Sequence, residues 1–205
     1  MNMPVRIGLD AELYQIGLIA TAGYSIGLHI RFTSPLMMFQ TYSQTWRDHY
    51  TERGYVLRDP MVAWGFSCEG CVRWSDPVLL DPFKLFVEAA SFGLHYGATV
   101  ACGPVRSRTI ASFARSDREF SDKELLTLTE KVQRLHAMTE PPEQLTVAQI
   151  EALRCIAGGD RFAAAATKLG ISESALKARI TSARIRLMAR TTAEAIQRAK
   201  DYRLI

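Results

Sequence analysis

Residues 162–187 read FAAAATKLGISESALKARITSARIRL. An alanine-rich stretch runs into Gly170. Ser172 is a natural N-cap, and helix-forming sequence follows it. At about 100° per residue, Leu176, Ile180, Ala183 and Leu187 fall on one narrow stripe, the face such a helix buries. The opposite face carries Ser174, Ala178, Thr181, Ser182 and Ile185, mostly small. Lys177 and Arg184 lie on one flank, Arg179 and Arg186 on the other. Small side chains let a helix backbone approach base edges in the major groove, and flanking cations meet the two phosphate strands. A short helix, a glycine turn and a second helix in this order predict a helix-turn-helix. The residues expected to touch DNA are Ser174, Lys177, Ala178, Arg179, Thr181, Arg184 and Arg186. A solvated basic helix on an ordinary bundle would explain the charges, but not the alanine-rich helix and glycine turn directly in front.

The charge of the whole chain agrees with this placement. The net charge of +4 is uneven: residues 1–144 hold 14 Lys and Arg against 16 Asp and Glu, and residues 145–205 hold 11 against 5. Only the C-terminal part is basic, which points to nucleic acid at one end. The sign changes at MTEPPEQLT (138–146), where Pro141-Pro142 cannot continue a helix and favour an extended spacer. The expected organisation is therefore a first domain over 1–138, a linker over 139–144 and a small all-α domain over 145–205. The last of these opens on a capping box, Thr146-x-x-Gln149, and closes on a helix from about Thr192 toward Arg203.

The first domain reads as mixed α/β. Residues 10–21 are expected to be a helix capped by Asp10, and YSIGLHIRF (24–32) alternates like a strand. A second helix is expected over 40–53, ending at Gly54. Another starts after Asp59 with Pro60 at its first position, and Asp81-Pro82 repeats that start. GATVACGP and RTIASFARS predict two strands of a hairpin. A long helix follows, with the capping box Ser121-x-x-Glu124 and an apolar stripe at Leu125, Leu128, Val132 and Leu135. One sheet sandwiched by helices results, an α/β/α sandwich, so the chain as a whole is α+β. Within YSQTWRDHYTERGYVLRDP (42–60), Tyr42, Trp46 and Tyr50 recur at four-residue intervals, each with a polar tip, and a lone carboxylate, Asp59, follows. The bland account is core packing for Tyr50 and Trp74 and a helix cap for Asp59.

Several function classes are disfavoured. No apolar run reaches the length of a membrane helix, and MNMPVRIGLDAEL lacks the apolar region of a signal peptide, so a soluble cytoplasmic protein is expected. The four cysteines, Cys68, Cys71, Cys102 and Cys155, are expected reduced. Cys68-x-x-Cys71 has no second pair and no nearby His pair, which argues against zinc. His29, His49, His95 and His136 show no ligand-like spacing, and no G-x-S-x-G is present, which argues against a hydrolase.

Taken together, LTVAQIEALRCIAGGDRFAAAATKLGISESALKARITSARIRLMARTTAEAIQRA (145–199) resembles the LuxR-type DNA-binding domain. Leu145-Thr146, Leu153, Ala157, Gly159, Leu169-Gly170-Ile171-Ser172 and Lys177 match its pattern. Gln149 stands for the usual Glu, Ala164-Ala165 for Glu-Ile, and Ala175 for Thr, which removes a hydroxyl suited to phosphate. The first domain resembles the autoinducer-binding domain of quorum-sensing LuxR-type regulators. Tyr42, Trp46, Tyr50, Asp59-Pro60, Trp74 and Gly97 fit its spaced motif, with Ser43 in place of a frequent Pro.

The resemblance implies an N-acyl-homoserine lactone as effector, no cofactor or metal, and no membrane. A homodimer on an inverted repeat of double-stranded DNA is expected, since one short recognition helix covers only a half-site. It assigns the Trp46 indole N–H to the lactone carbonyl, Tyr42 to the amide carbonyl and Asp59 to the amide N–H. Trp74 and Tyr50 become walls, and Ser112 a further polar contact. Donor and acceptor types agree, because a buried amide needs a partner for each group. Two other readings stay open: a relative that works without a lactone or silences a partner regulator by pairing with it, and an enzyme acting on a small amide or lactone.

Overall fold

The computed structural model describes residues 3–30, 34–140, 145–202 and 204–205. The chain divides into two compact units, residues 2–140 and residues 141–205. Arg31, Phe32, residues 141–144 of the expected linker and Arg203 lie outside the described residues.

The first unit is built on a five-stranded antiparallel sheet in the order β2-β1-β5-β4-β3, formed by β1 (Gly23–Ile30), β2 (Met37–Gln40), β3 (Gly70–Arg73), β4 (Tyr96–Cys102) and β5 (Arg108–Arg115). The expected hairpin is the β4–β5 pair, with Thr99 opposite Ser112. Helices α1 (Met3–Ile19) and α5 (Asp122–Met138) cover one face. There Tyr24, Ile26, Leu28, Val100 and Phe113 pack against Ile16, Leu128, Val132 and Leu135. Alternate residues of a strand face opposite ways, so the other face of the sheet presents Gly23, Ser25, Gly27, Val72, Gly97, Thr99, Ala101, Ile110, Ser112 and Ala114. Helices α2 (Gln44–Glu52), α3 (Pro60–Ser67) and α4 (Leu85–Ser91) belong to this second side. The fold is α+β with an α/β/α first unit.

Three helix starts differ from expectation. Helix α1 begins at Met3 rather than Asp10; Pro4 fits its first turn, where a missing N–H goes unneeded, so no cap at Asp10 is required. Helix α2 begins only after Ser43, whose hydroxyl accepts the Trp46 N–H at 3.3 Å. Residues 37–40 are strand β2, and Tyr42 precedes the helix. Helix α4 begins at Leu85, with Asp81 reaching forward to accept the Leu85 and Phe86 N–H groups at 2.9 and 2.8 Å. The Asp59-Pro60 start of α3 and the capping box of α5 are as expected.

Where α5 ends, His29 joins it to the sheet. His29 is fully buried in the left-handed region at φ 51, beside a β-bulge in strand β1. Its Nε2 lies 2.9 Å from the His136 carbonyl and 3.1 Å from the Thr139 hydroxyl, so Nε2 carries the proton. Its Nδ1 is 2.9 Å from the Ser107 hydroxyl. The rings of His29 and His136 lie 4.2 Å apart, tilted by 31°. Two of the four histidines that look scattered in sequence therefore meet in the fold.

The second unit consists of α6 (Val147–Ala157), α7 (Phe162–Lys168), α8 (Glu173–Arg186) and α9 (Thr192–Asp201). Leu153, Ala166, Leu176, Ile180, Ala183 and Leu187 share its core. Gly170 makes the turn between α7 and α8 at φ 65, a conformation open to glycine at little cost.

Candidate functional site

The second side of the sheet gathers the aromatic residues singled out in the sequence. Asp59, 4% exposed, caps α3: its Oδ1 accepts the Met61 N–H at 2.7 Å and the Val62 N–H at 3.4 Å. Its Oδ2 accepts the Tyr50 hydroxyl at 2.7 Å. One carboxylate thus fixes a helix start and an aromatic side chain at once. Burial raises the Asp59 pKa above the ordinary carboxylate value, against the lowering effect of these hydrogen bonds.

Tyr42 is 7% exposed, and its hydroxyl oxygen has no hydrogen-bond partner among the described residues. Burial and then the nearby Asp59 charge hold this phenol protonated. A buried donor without an acceptor costs about 1–3 kcal/mol. Tyr42 is set in place by backbone: a Cβ on Gly23 would stand 2.9 Å from its ring. Trp46 is buried among Tyr50, Tyr55 and Phe92, with ring centroids 5.8, 6.3 and 5.3 Å away. Beyond it, His49 bonds Glu88 of α4 at 2.7 Å, tying α2 to α4.

Trp74 lies flat on strand β4. Its backbone N–H donates to the Gly97 carbonyl at 2.8 Å, and a Cβ on Gly97 would sit 1.9 Å from the indole. Phe86 stacks on the ring at 5.3 Å. The indole N–H donates to the Thr99 hydroxyl at 3.2 Å, so Trp74 acts as a wall. Ser112 is 3.4 Å from Thr99 Oγ1 and 3.5 Å from the Met61 sulfur. The fold brings Tyr42, Trp46, Tyr50, Asp59, Trp74 and Ser112 to one side of the sheet. It adds Tyr55, Met61, Phe86, Phe92 and Thr99, which sequence reasoning missed. Thr99 alternates with Ala98 and Val100 in β4, a pattern that could have flagged it.

In the second unit, the stripe of α8 expected to be buried is buried. Ser174, Lys177, Ala178, Thr181, Ser182, Ile185 and Arg186 are exposed, and Arg179 and Arg184 are half-buried. Lys177 pairs with Glu173 at 3.9 Å across a turn. Arg184 donates to the Arg190 carbonyl, so part of its guanidinium is committed to its own chain. Gln149 completes the α6 capping box and reaches α8 at Ser182 and Arg186.

The cysteines are free thiols. Cys68 is exposed, and burial raises the Cys71 pKa. Among the described residues, no group of three or more His, Cys, Asp or Glu could hold a metal ion. No described helix is long and apolar enough to cross a membrane.

The first unit carries a buried set of polar-tipped aromatics on one side of its sheet, and the second unit is all-helical. The autoinducer binding domain family matches residues 19–140, and the chain belongs to that family. It is 26% identical to the transcriptional activator protein VanR of Vibrio anguillarum, over 82% of this chain and 76% of that protein. It is 29% identical to the HTH-type quorum-sensing regulator RhlR of Pseudomonas aeruginosa, over 81% of this chain and 75% of that protein. Each of these spans is longer than residues 2–140 alone can supply. Among solved structures, Escherichia coli SdiA superposes with a TM-score of 0.54 at 23% identity, covering 96% of this chain and 92% of that chain. The chain is thus a LuxR-type quorum-sensing regulator.

Proposed function

We propose that this protein binds an N-acyl-homoserine lactone in the first unit and reads an inverted repeat of double-stranded DNA, as a homodimer, through α8. The observation that carries the ligand half is the unpartnered Tyr42 hydroxyl beside Asp59 and Trp46. A ligand amide presents a carbonyl and an N–H close together. Tyr42 donates to the first and Asp59 accepts from the second. The Trp46 indole N–H, which can only donate, takes the lactone carbonyl. Tyr50 holds Asp59 in position, and Trp74 with Phe86 bounds the site. Ser112 supplies a further donor. The protein works by binding, with no catalytic step, and needs no metal or cofactor. The exposed face of α8 with Ser174, Lys177, Ala178 and Thr181 supports base reading. The flanking Arg179, Arg184 and Arg186 support phosphate contacts.

Asp59→Ala tests the ligand half. It leaves the amide N–H unpaired and is expected to lower affinity by about 1–3 kcal/mol, read by calorimetry with N-acyl-homoserine lactones of graded chain length. Unchanged affinity in that variant rules the role out. The pH dependence has a definite sign. The carboxylate accepts the N–H more strongly than the neutral carboxyl does, so affinity is expected to fall as pH drops through the raised Asp59 pKa. The stability of the ligand-free fold moves the other way. A raised carboxylate pKa favours the neutral folded form, so this contribution is full below the unfolded value and is lost as pH rises through the folded one.

A further inference from the structure

We propose that Ser182 is a DNA-backbone contact whose hydroxyl is turned outward by Gln149, making it an obligate donor to a phosphate oxygen. This rests on the reading of α8 as the DNA-entering helix. Gln149 is only 6% exposed. One atom of its amide receives the Thr146 N–H at 2.9 Å and an Arg186 guanidinium N–H at 3.3 Å. Both are donors only, so that atom is the oxygen. The other is the nitrogen, and it lies 2.8 Å from Ser182 Oγ. An amide nitrogen has only hydrogens to offer. Ser182 must therefore accept on its inner side, which leaves its own hydrogen for an outside partner.

That outside partner is an acceptor. Ser182 is exposed on α8, about 40° round the helix from Ala178, on the side of Arg179 and Arg186. Phosphate oxygens can only accept, and an outward hydroxyl donor next to the exposed Arg186 matches them. The buried Gln149 is the positioning residue. A carboxylate in its place would accept the Ser182 hydrogen and reverse the hydroxyl, presenting lone pairs to phosphate.

The test uses the full-length chain purified in the presence of an N-acyl-homoserine lactone mixture, with a labelled random-sequence duplex titrated across a salt series. Ser182→Ala is expected to weaken binding by about three- to tenfold per bound chain with the salt slope unchanged, because a neutral donor displaces no counterions. Gln149→Glu is expected to weaken binding more in the Ser182 background than in the Ser182→Ala background. Its added charge acts equally in both, so the difference isolates the hydroxyl. Thermal melting is expected to show both variants folded, since Glu keeps the capping box. Equal affinity of Ser182→Ala and wild type overturns the proposal while leaving the DNA-binding reading intact, as does a zero difference in the cycle. Failure of the wild-type chain to bind any duplex overturns that reading and the proposal with it.

Discussion

The two faces of the sheet are made from the same strands by opposite rules. On β5, Phe113 points to α1 and α5, while its neighbours Ser112 and Ala114 point to α2 and α3. On β1, Tyr24, Ile26 and Leu28 alternate with Gly23, Ser25 and Gly27. The first face fills its volume with interlocking apolar side chains. The second, apart from Ile110 and Val72, offers small side chains at the strand surface and sets Tyr42, Trp46 and Trp74 over it. A protein gains no packing from Gly and Ser in mid-strand. Their concentration on one face leaves room there for the aromatic side chains of α2 and of the segment around Trp74 to lie against the strands.

The largest effect expected from breaking this contrast is on the filled face. Phe113→Ala should cost about 3–5 kcal/mol of stability, measured by urea denaturation, with lactone affinity unchanged in the folded fraction. A loss of affinity there would show that the faces are not separate in function. Gly97→Ala is the intermediate case. Its Cβ cannot coexist with the Trp74 ring as placed, so overpacking should cost about 1–3 kcal/mol and displace the wall, visible as a shift in tryptophan fluorescence. The smallest change is the sharpest. Tyr42→Phe removes a hydroxyl that the protein itself leaves unpartnered. Its ligand-free melting temperature should hold or rise, while lactone affinity falls by about 0.5–1.5 kcal/mol. A drop in both would place the hydroxyl in the structure rather than in recognition.

The second unit was legible because its signals are local. Capping residues Thr146 and Ser172, the turn at Gly170 and the stripe from Leu176 to Leu187 all act within one or two helical turns. The first unit was legible in its residues but not in its geometry. Tyr42 and Trp46 converge, yet not as one helix face; the Ser43 hydroxyl starts the helix between them, and the short strand β2 pairs Phe39 with Ile26. Strand β2 reads MMFQ, with no alternation to betray it; pairing with β1 makes it a strand. Alternation marks Thr99 as facing away from Ala98 and Val100, but only the register places it opposite Ser112 and in reach of the Trp74 indole. Asp59 is the helix cap that the Asp-Pro pair announces, and its second oxygen holds Tyr50, a contact between helices that no local pattern could show.

The histidine at the bulge of β1 changes how the end of α5 should breathe. A helix terminus ordinarily frays, and its last amides exchange with solvent by local opening alone. Here the His136 carbonyl and the Thr139 hydroxyl are held by a side chain that belongs to the sheet. Thr139 also donates back to the Leu135 carbonyl at 2.6 Å. The final turn of α5 cannot unwind without withdrawing His29 from its left-handed seat. In hydrogen-exchange terms, that turn and strand β1 should open together rather than separately.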